Sequence, residues 1–361
     1  MTTDKKRVAV LPGDDAAPEA VYPTLELLRS MSLPIEWVVL PDGETLTRTA
    51  SREERERLIR ETVDSTDTLL FGATSGKTGG VGYVRWGKQT YANVRPIRWR
   101  PGFRSPLAHP EGIDYVIVRE NIEDLYLGLE GDLAELGGLG RDTRPWGGLF
   151  GGRPAAESEG RYAVKVVTRE NVERVTRFAC RLALERKQHG HVGKVTVSAK
   201  TNVLPRSDGY FRDVAKAVVS EYPGVAYEEF IVDDLARRLV ASPRQFDVVL
   251  LPNLHGDILS DVGAGTIGGL GLAPSGCYGD GYAYFEPVHG TAPDIAGQDI
   301  INPTATVLSA AMMLEHLGFA DAARRLERAV EETYAAADRL TPDQGGSATT
   351  EEFARAVGSR L

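Results

Sequence analysis

The sequence predicts an α/β fold built on at least one mixed sheet. Two observations carry this: the chain opens on strand, turn and helix, and short apolar runs then alternate with apolar residues at helical spacing. Residues 8–11 form the first run, and Pro12-Gly13-Asp14-Asp15 breaks it. Residues 18–30 place Val21, Leu25 and Leu28 on one helix face. A second strand is read at 35–40. Ser51-Arg52-Glu53-Glu54 has capping-box spacing, in which hydroxyl and carboxylate each satisfy a free backbone N–H, so a helix starts there. Further strands are predicted near 68–71, 115–118, 194–197 and 247–250, with a helix through Val172, Val175, Phe178, Ala179 and Leu182. Residues 128–160, rich in Gly, Pro, Glu and Arg, lack sustained periodicity and read as a protruding arm or loop. A glycine-rich segment at 263–271 precedes a helical pattern from 303 to 317.

With 361 residues, the chain is long enough for two domains or one large unit with a sizeable core. Against 42 Lys plus Arg stand 51 Asp plus Glu, a net charge of −9 that disfavours nucleic acid and anionic membrane surfaces as partners. The two cysteines, Cys180 and Cys277, lack Cys-x-x-Cys spacing, so neither a disulfide framework nor a zinc knuckle is expected, and a reducing compartment is. No apolar run approaches the roughly 18 residues of a membrane span. A cytoplasmic protein is expected.

Asp257 and Asp261 stand four apart, so a helix would put both carboxylates on one face. Oxygen-only donors suit Mg²⁺ or Mn²⁺, with substrate oxygens completing the shell. Arg85, Arg95 and Arg119 form a basic set suited to bidentate binding of a di- or tricarboxylate. Tyr126 and Lys200, each just beyond a predicted strand, could move protons. Gly263-x-Gly265-x-x-Gly268 matches the dinucleotide fingerprint in letters, yet it does not directly follow a strand. The small-residue turn His289-Gly290-Thr291-Ala292-Pro293-Asp294 is a better nucleotide candidate. Asp294 could accept both ribose hydroxyls and would repel a 2′-phosphate, which favours NAD over NADP. His189-Gly190-His191 reads as a solvated helix end.

Taken in order, these motifs resemble the isocitrate and isopropylmalate dehydrogenase family across essentially the whole chain. The residues are Val10-Leu11-Pro12-Gly13-Asp14, Asn93-Val94-Arg95-Pro96, Arg119-Glu120-Asn121-Ile122-Glu123-Asp124-Leu125-Tyr126, Lys200-Thr201-Asn202-Val203-Leu204, Asn253 through Asp261, and Phe285-Glu286-Pro287-Val288-His289-Gly290-Thr291-Ala292-Pro293-Asp294. The resemblance implies an isopropylmalate-dehydrogenase-like two-domain fold with a non-Rossmann NAD site. A large domain would comprise 1–98 and 250–361. A small dimerisation domain would comprise 99–249, with 128–160 as a dimer-clasp arm.

The same resemblance makes Arg85, Arg95 and Arg119 the clamp on a malate-type substrate. It gives Mg²⁺ or Mn²⁺ to Asp257, Asp261 and Asp233, and makes Tyr126 and Lys200 the acid and base of an oxidative decarboxylation. In the family Lys200 and Asp233 serve the neighbouring subunit, so a homodimer with shared active sites is implied. NAD would lie against Asn202, Glu286, His289, Gly290, Thr291, Ala292, Asp294, Ile295 and Asn302, and Asp294-Ile295 resembles the NAD-type pair. Where isocitrate enzymes carry Ser and Asn before the first clamp arginine this chain has Gly79 and Val81, and where isopropylmalate enzymes carry Leu-Leu it has Val81-Gly82. The substituent pocket therefore reads as roomy and partly apolar, with Lys77 able to meet an anionic group. Asn121-Ile122-Glu123-Asp124 leans to the isocitrate and homoisocitrate branch. A phosphonomethyl malate, 3-isopropylmalate, tartrate or D-malate remain alternatives, as do an inactive regulatory homologue and a Rossmann dehydrogenase on Gly263 to Gly268.

Overall fold

A computed structural model describes residues 5–139, 144 and 152–361. Its strands are β1 (Lys6–Leu11), β2 (Ile35–Val39), β3 (Thr68–Phe71), β4 (Ala92–Arg98), β5 (Asp114–Glu120), β6 (Glu130–Asp132), β7 (Arg161–Ala163), β8 (Lys194–Ala199), β9 (Ala226–Ile231), β10 (Val248–Leu251), β11 (Pro274–Tyr278) and β12 (Ala283–Pro287). Its helices are α1 (Ala17–Ser30), α2 (Gly43–Thr49), α3 (Arg52–Asp64), α4 (Arg169–Gln188), α5 (Asp208–Ser220), α6 (Val232–Ala241), α7 (Asn253–Ile267), α8 (Thr304–His316), α9 (Ala320–Ala336) and α10 (Thr350–Gly358).

Ten strands form one sheet in the order β2-β1-β3-β12-β11-β4-β5-β10-β8-β9. The runs β2-β1-β3-β12 and β5-β10-β8-β9 are each parallel, and antiparallel pairings of β11 and β4 join them. The expected α/β class with a mixed sheet is therefore present.

Helices cover both faces, which is why β1, β3 and β10 read as unbroken apolar runs rather than alternating ones. The period of two still decides which neighbour each side chain meets. Val8, Val10, Val249 and Leu251 join the core under α1, α6, α7, α8, α9 and α10. Ala9 and Leu11 face α3, while Val248 and Leu250 face α4 and α5. On β5, Tyr115 and Ile117 belong to the α7 face, and on β4 Ile97 does. Asn93 and Arg95 share Ile97's parity, and Arg119 shares that of Tyr115, so all three side chains turn towards α7. Register pairs Asn93 with Arg119 and Arg95 with Ile117, setting the two arginines diagonally on adjacent strands.

The Ser51 and Glu54 capping box forms as read, with both reciprocal bonds present. Strand β4 escaped the sequence reading because Arg95-Pro96 puts a charge and a missing N–H in mid-strand, which argues against a central strand. Gly263 and Gly265 lie inside α7 and Gly268 caps its end, so this match is not a strand-turn-helix phosphate loop. The arm region begins and ends in the β6–β7 hairpin, and residues 140–143 and 145–151 within it lie outside the described residues. Among the described residues no helix is long and apolar enough to cross a membrane.

Helix α7 can approach β5 closely because Gly256 has no side chain. A Cβ there would lie 2.7 Å from both Cβ and Cγ of Arg119. We expect Gly256→Ala to cost about 1–3 kcal/mol through overpacking and to lower activity by moving α7 off the sheet. Denaturant unfolding checks this, and an unchanged midpoint would show that α7 shifts freely.

Candidate active site

Arg119 is 1 % exposed and Arg95 6 %, so both guanidinium groups need partners in the protein. Arg119 Nε donates to Asn253 Oδ1 at 2.8 Å, and its Nη1 donates to Asp257 Oδ1. Arg95 Nη1 donates to the same oxygen at 3.1 Å and to Ser260 Oγ at 2.6 Å. The Tyr126 hydroxyl donates to Asp257 Oδ2. Both Arg119 and Arg85 lie over the Tyr126 ring, 4.7 and 5.7 Å from its centroid. Arg85 sits in a π-helical turn, Tyr83–Gly87, and its Nε is buried without a partner, as is Arg119 Nη2. Arg85, Arg95, Arg119, Tyr126 and Asp257, each picked out in the sequence, are thus gathered at one place, with two donor atoms unspent.

The electrostatics follow from this crowding. Burial would raise the Asp257 pKa, yet Arg119 and Arg95 hold it below the ordinary carboxylate value. Burial, with repulsion from Arg95, pulls Arg119 down to about 10. Tyr126 is raised, first by burial and then by its bond to Asp257 against the arginine charges, so it keeps its proton at neutral pH. Asp261, one turn along α7, is raised by burial and by the like charge of Asp257, with Arg95 Nη1 3.9 Å away opposing. Two carboxylates on one helix face, the outer one 55% exposed and so open to an incoming ion, fit a hard divalent cation. Asp233 does not join them within this chain: Lys200 Nζ donates to its Oδ1 at 2.6 Å, and both side chains are substantially exposed. Among the described residues no three potential ligands come together.

The substituent loop is organised by a residue that the sequence reading passed over. Asp14 is 1 % exposed, and one of its oxygens accepts from Ser75 N–H at 2.7 Å, Thr74 Oγ1 at 2.7 Å and Lys77 N–H at 3.0 Å. Its other oxygen accepts from the Thr78 N–H and hydroxyl at 2.9 and 2.5 Å. Burial opposes the charge, but these donors hold the Asp14 pKa below its usual value. The backbone of 74–78 is therefore fixed, while Lys77 Nζ reaches out to Asp15 Oδ1 at 2.6 Å and stays half exposed. Gly79 takes a φ of +83°, which favours glycine, and Val81 packs on the α3 side of the core.

The nucleotide candidates divide into two kinds. His289 Nδ1 bonds the Gly290 carbonyl at 2.8 Å, its Nε2 is buried and unpartnered, and Ala292 adopts a left-handed conformation at φ +48°. Gly290 and Asp294 are exposed, and Ile295 packs with Ala292 against Ala16, Ala20 and Ile301. Thr291 O accepts from Ala16 N–H at 3.0 Å, tying this turn to the start of α1. An orphaned ring nitrogen beside a tight turn and a free carboxylate fits a nucleotide. Glu286 is raised by burial. Asn302, by contrast, is 4 % exposed and engaged with Tyr334, Asp343 and the Thr304 N–H, and Asn202 lies exposed in the turn after Lys200.

The segment that suggested a substrate branch faces inward. Glu123 accepts from Thr168 N–H, Thr168 Oγ1 and Asn171 Nδ2, and the Asn121 Nδ2 donates to Thr90 O. These side chains hold the start of α4 and the end of β5, so their identity says little about the substituent.

A family model described as isocitrate/isopropylmalate dehydrogenase matches residues 7–357. The 3-isopropylmalate/3-methylmalate dehydrogenase of Methanocaldococcus jannaschii is 41% identical over 357 residues, 98% of each chain. The isocitrate/homoisocitrate dehydrogenase of Thermus thermophilus is 40% identical over 368 residues, again 98% of each. Among solved structures, that of isocitrate dehydrogenase from Methylococcus capsulatus aligns with a TM-score of 0.82 at 31% identity, covering 98% of this chain and 99% of that one. The chain therefore belongs to the isocitrate/isopropylmalate dehydrogenase family, and is a β-decarboxylating, NAD-dependent dehydrogenase of hydroxy acids.

Proposed function

We propose that the substrate is a 3-substituted malate with an anionic substituent, an isocitrate- or homoisocitrate-like tricarboxylate. NAD is the acceptor and Mg²⁺ or Mn²⁺ the cation. The observation that carries this reading is the gathering of Arg85, Arg95 and Arg119 around Tyr126 and Asp257. Lys77, on the loop that leads into Arg85, supplies a further positive charge suited to a third carboxylate.

In the site, substrate carboxylates take over the arginine bonds that Asp257 now makes. Asp257 and Asp261, with Asp233 of the partner subunit, would hold the cation. When bound, the cation would supply Lewis-acid chemistry and NAD a hydride acceptor. Lys200 of the partner subunit accepts the C2 hydroxyl proton, and Tyr126 returns a proton to C3 after CO₂ has left. His289, Gly290, Thr291, Ala292, Asp294 and Ile295 line the nucleotide, and Asp294 selects the free ribose. In this reading 1–98 with 250–361 carries the cofactor and 99–249 the dimer contact, with 128–160 clasping the partner. Its two cysteines, both free and buried, fit an enzyme of the reducing cytoplasm.

Three experiments test the reading. NADH formation with Mg²⁺ or Mn²⁺ is expected on isocitrate or homoisocitrate, exceeding that on 3-isopropylmalate, D-malate, tartrate and phosphonomethyl malate, and lost in EDTA. Preference for an uncharged substituent, or turnover that survives EDTA, would reject it. The pair Asp294→Lys with Ile295→Tyr should reverse or erode the NAD preference, read as the ratio of kcat/KM for NAD and NADP; an unchanged ratio places selectivity elsewhere. Mixed Lys200→Ala and Tyr126→Phe subunits should recover about a quarter of wild-type activity, since one in four sites at random exchange keeps both residues. Verified exchange without recovery would count against shared sites.

A further inference from the structure

Tyr126, Lys200 and α7 come from three separate segments, and one side chain outside all three reaches the carboxylates that hold them. Lys165 lies between β7 and α4 with its side chain 14% exposed. Its Nζ stands 2.5 Å from Asp208 Oδ1 and 3.5 Å from Asp124 Oδ1. Both acids are buried, Asp208 completely and Asp124 to 2 % exposure.

Each acid then grips a working segment. Asp208 Oδ2 accepts from the Lys200 backbone N–H at 2.7 Å, fixing the turn that carries the Lys200 amine. Asp124 Oδ2 accepts from Leu254 N–H at 3.1 Å, in the first turn of α7, three residues before Asp257. Its Oδ1 accepts from the N–H of Leu125, the residue before Tyr126, at 2.9 Å. Asp124 itself holds φ +69°, a conformation that costs a non-glycine residue energy and persists only where its surroundings impose it. The backbone next to Lys165 helps impose it, because Asp124 N–H donates to Val166 O at 3.0 Å.

We propose that Lys165 is a positioning residue for the decarboxylating oxidation. By bridging Asp124 and Asp208 it sets Tyr126, the α7 carboxylates and the Lys200 turn in one arrangement. The proposal rests on the functional reading above, in which Tyr126 and Lys200 move protons. Where Lys200 serves the partner's site, the same bridge ties the acid of one site to the base of the other. The physical ground is charge: two buried carboxylates that both lie within 3.5 Å of one ammonium repel each other once it is removed.

The test compares Lys165→Met and Lys165→Arg in the full-length enzyme with Mn²⁺ and NAD, using the panel substrate that the unmodified enzyme turns over fastest. Tyr126→Phe and Lys200→Ala serve as controls, and thermal midpoints are recorded for all. Misplacing reacting groups by about 1 Å costs on the order of 100-fold in rate. Lys165→Met is therefore expected to lose about that factor in kcat while KM for NAD stays within about twofold, and Lys165→Arg to recover most of it. Should Lys165→Met not fold, Lys165→Met with Asp208→Asn replaces it, since it removes a buried negative charge along with the positive one; the Asn oxygen still accepts from Lys200 N–H. Near-normal kcat in the Met variant while both controls are inactive would overturn the proposal and leave the functional reading intact. Equal losses in the Met and Arg variants, in step with their thermal midpoints, would mark a packing role and also overturn it. Full turnover in both controls would overturn the functional reading and this proposal with it.

Discussion

The structure of this site depends on how two buried arginines are neutralised. Arg95 and Arg119 lie on neighbouring strands with almost no solvent, and a guanidinium so placed is tolerable only with an anionic, hydrogen-bonded partner. Asp257 is that partner, and its position follows from constraints far from any substrate. The β4–β5 register turns both arginines to the α7 face. Asn253, at the start of α7, accepts from Arg119 and donates to the Glu123 carbonyl, pinning the helix at 2.8 and 3.1 Å. Gly256 then lets the helix lie close enough for Asp257 to reach both arginines and Tyr126. A slip of one residue in either strand would turn the charges to the opposite face, against the apolar side chains of α4 and α5.

The same carboxylate has two uses that exclude each other. While it satisfies the arginines it is a structural anion; in the proposed reading, substrate carboxylates would satisfy them instead and free it to act as a ligand. Such exchange costs little because charge-assisted bonds are replaced by bonds of the same kind. The cluster is therefore held together before substrate arrives without being locked against it.

Much of this was legible in the sequence because it is carried by side chains with few alternative uses. Six of the eight parallel strands were visible as apolar runs, β9 and β12 being missed; the capping box was visible by its spacing, and the arginines, acids, Tyr126 and Lys200 by an ordered set of motifs. What escaped were features that depend on tertiary partners. Strand β4 hid behind its own Arg95-Pro96. Asp14 looked like a turn acid after the opening strand, and only the fold shows that it gathers three backbone N–H groups from residues more than sixty positions away. Asn121-Ile122-Glu123-Asp124 leaned to one substrate branch by its resemblance, whereas the partners of Glu123 and Asp124 are Thr168, Asn171, Lys165 and Leu254. Lys165 has no motif around it at all.

In the proposed reading the sheet distributes the residues of selectivity and of chemistry between its two halves. Tyr126, Asp257, Lys200 and Asp233 follow the ends of β5, β10, β8 and β9, the four parallel strands of one half. Asp14, Lys77 and His289 follow the ends of β1, β3 and β12, in the half that runs parallel on the other side. Open α/β sheets bind ligands beyond the carboxyl ends of their strands, and here each half contributes its own set. Asp15 spans the second set, pairing with Lys77 on the substituent loop and with the Thr291 hydroxyl on the nucleotide turn. Asp15 is therefore the side chain through which the loop of 74–81 and the turn of 289–294 touch. Arg85, at the end of the same loop, lies over the Tyr126 ring, so the two sets meet at that side chain.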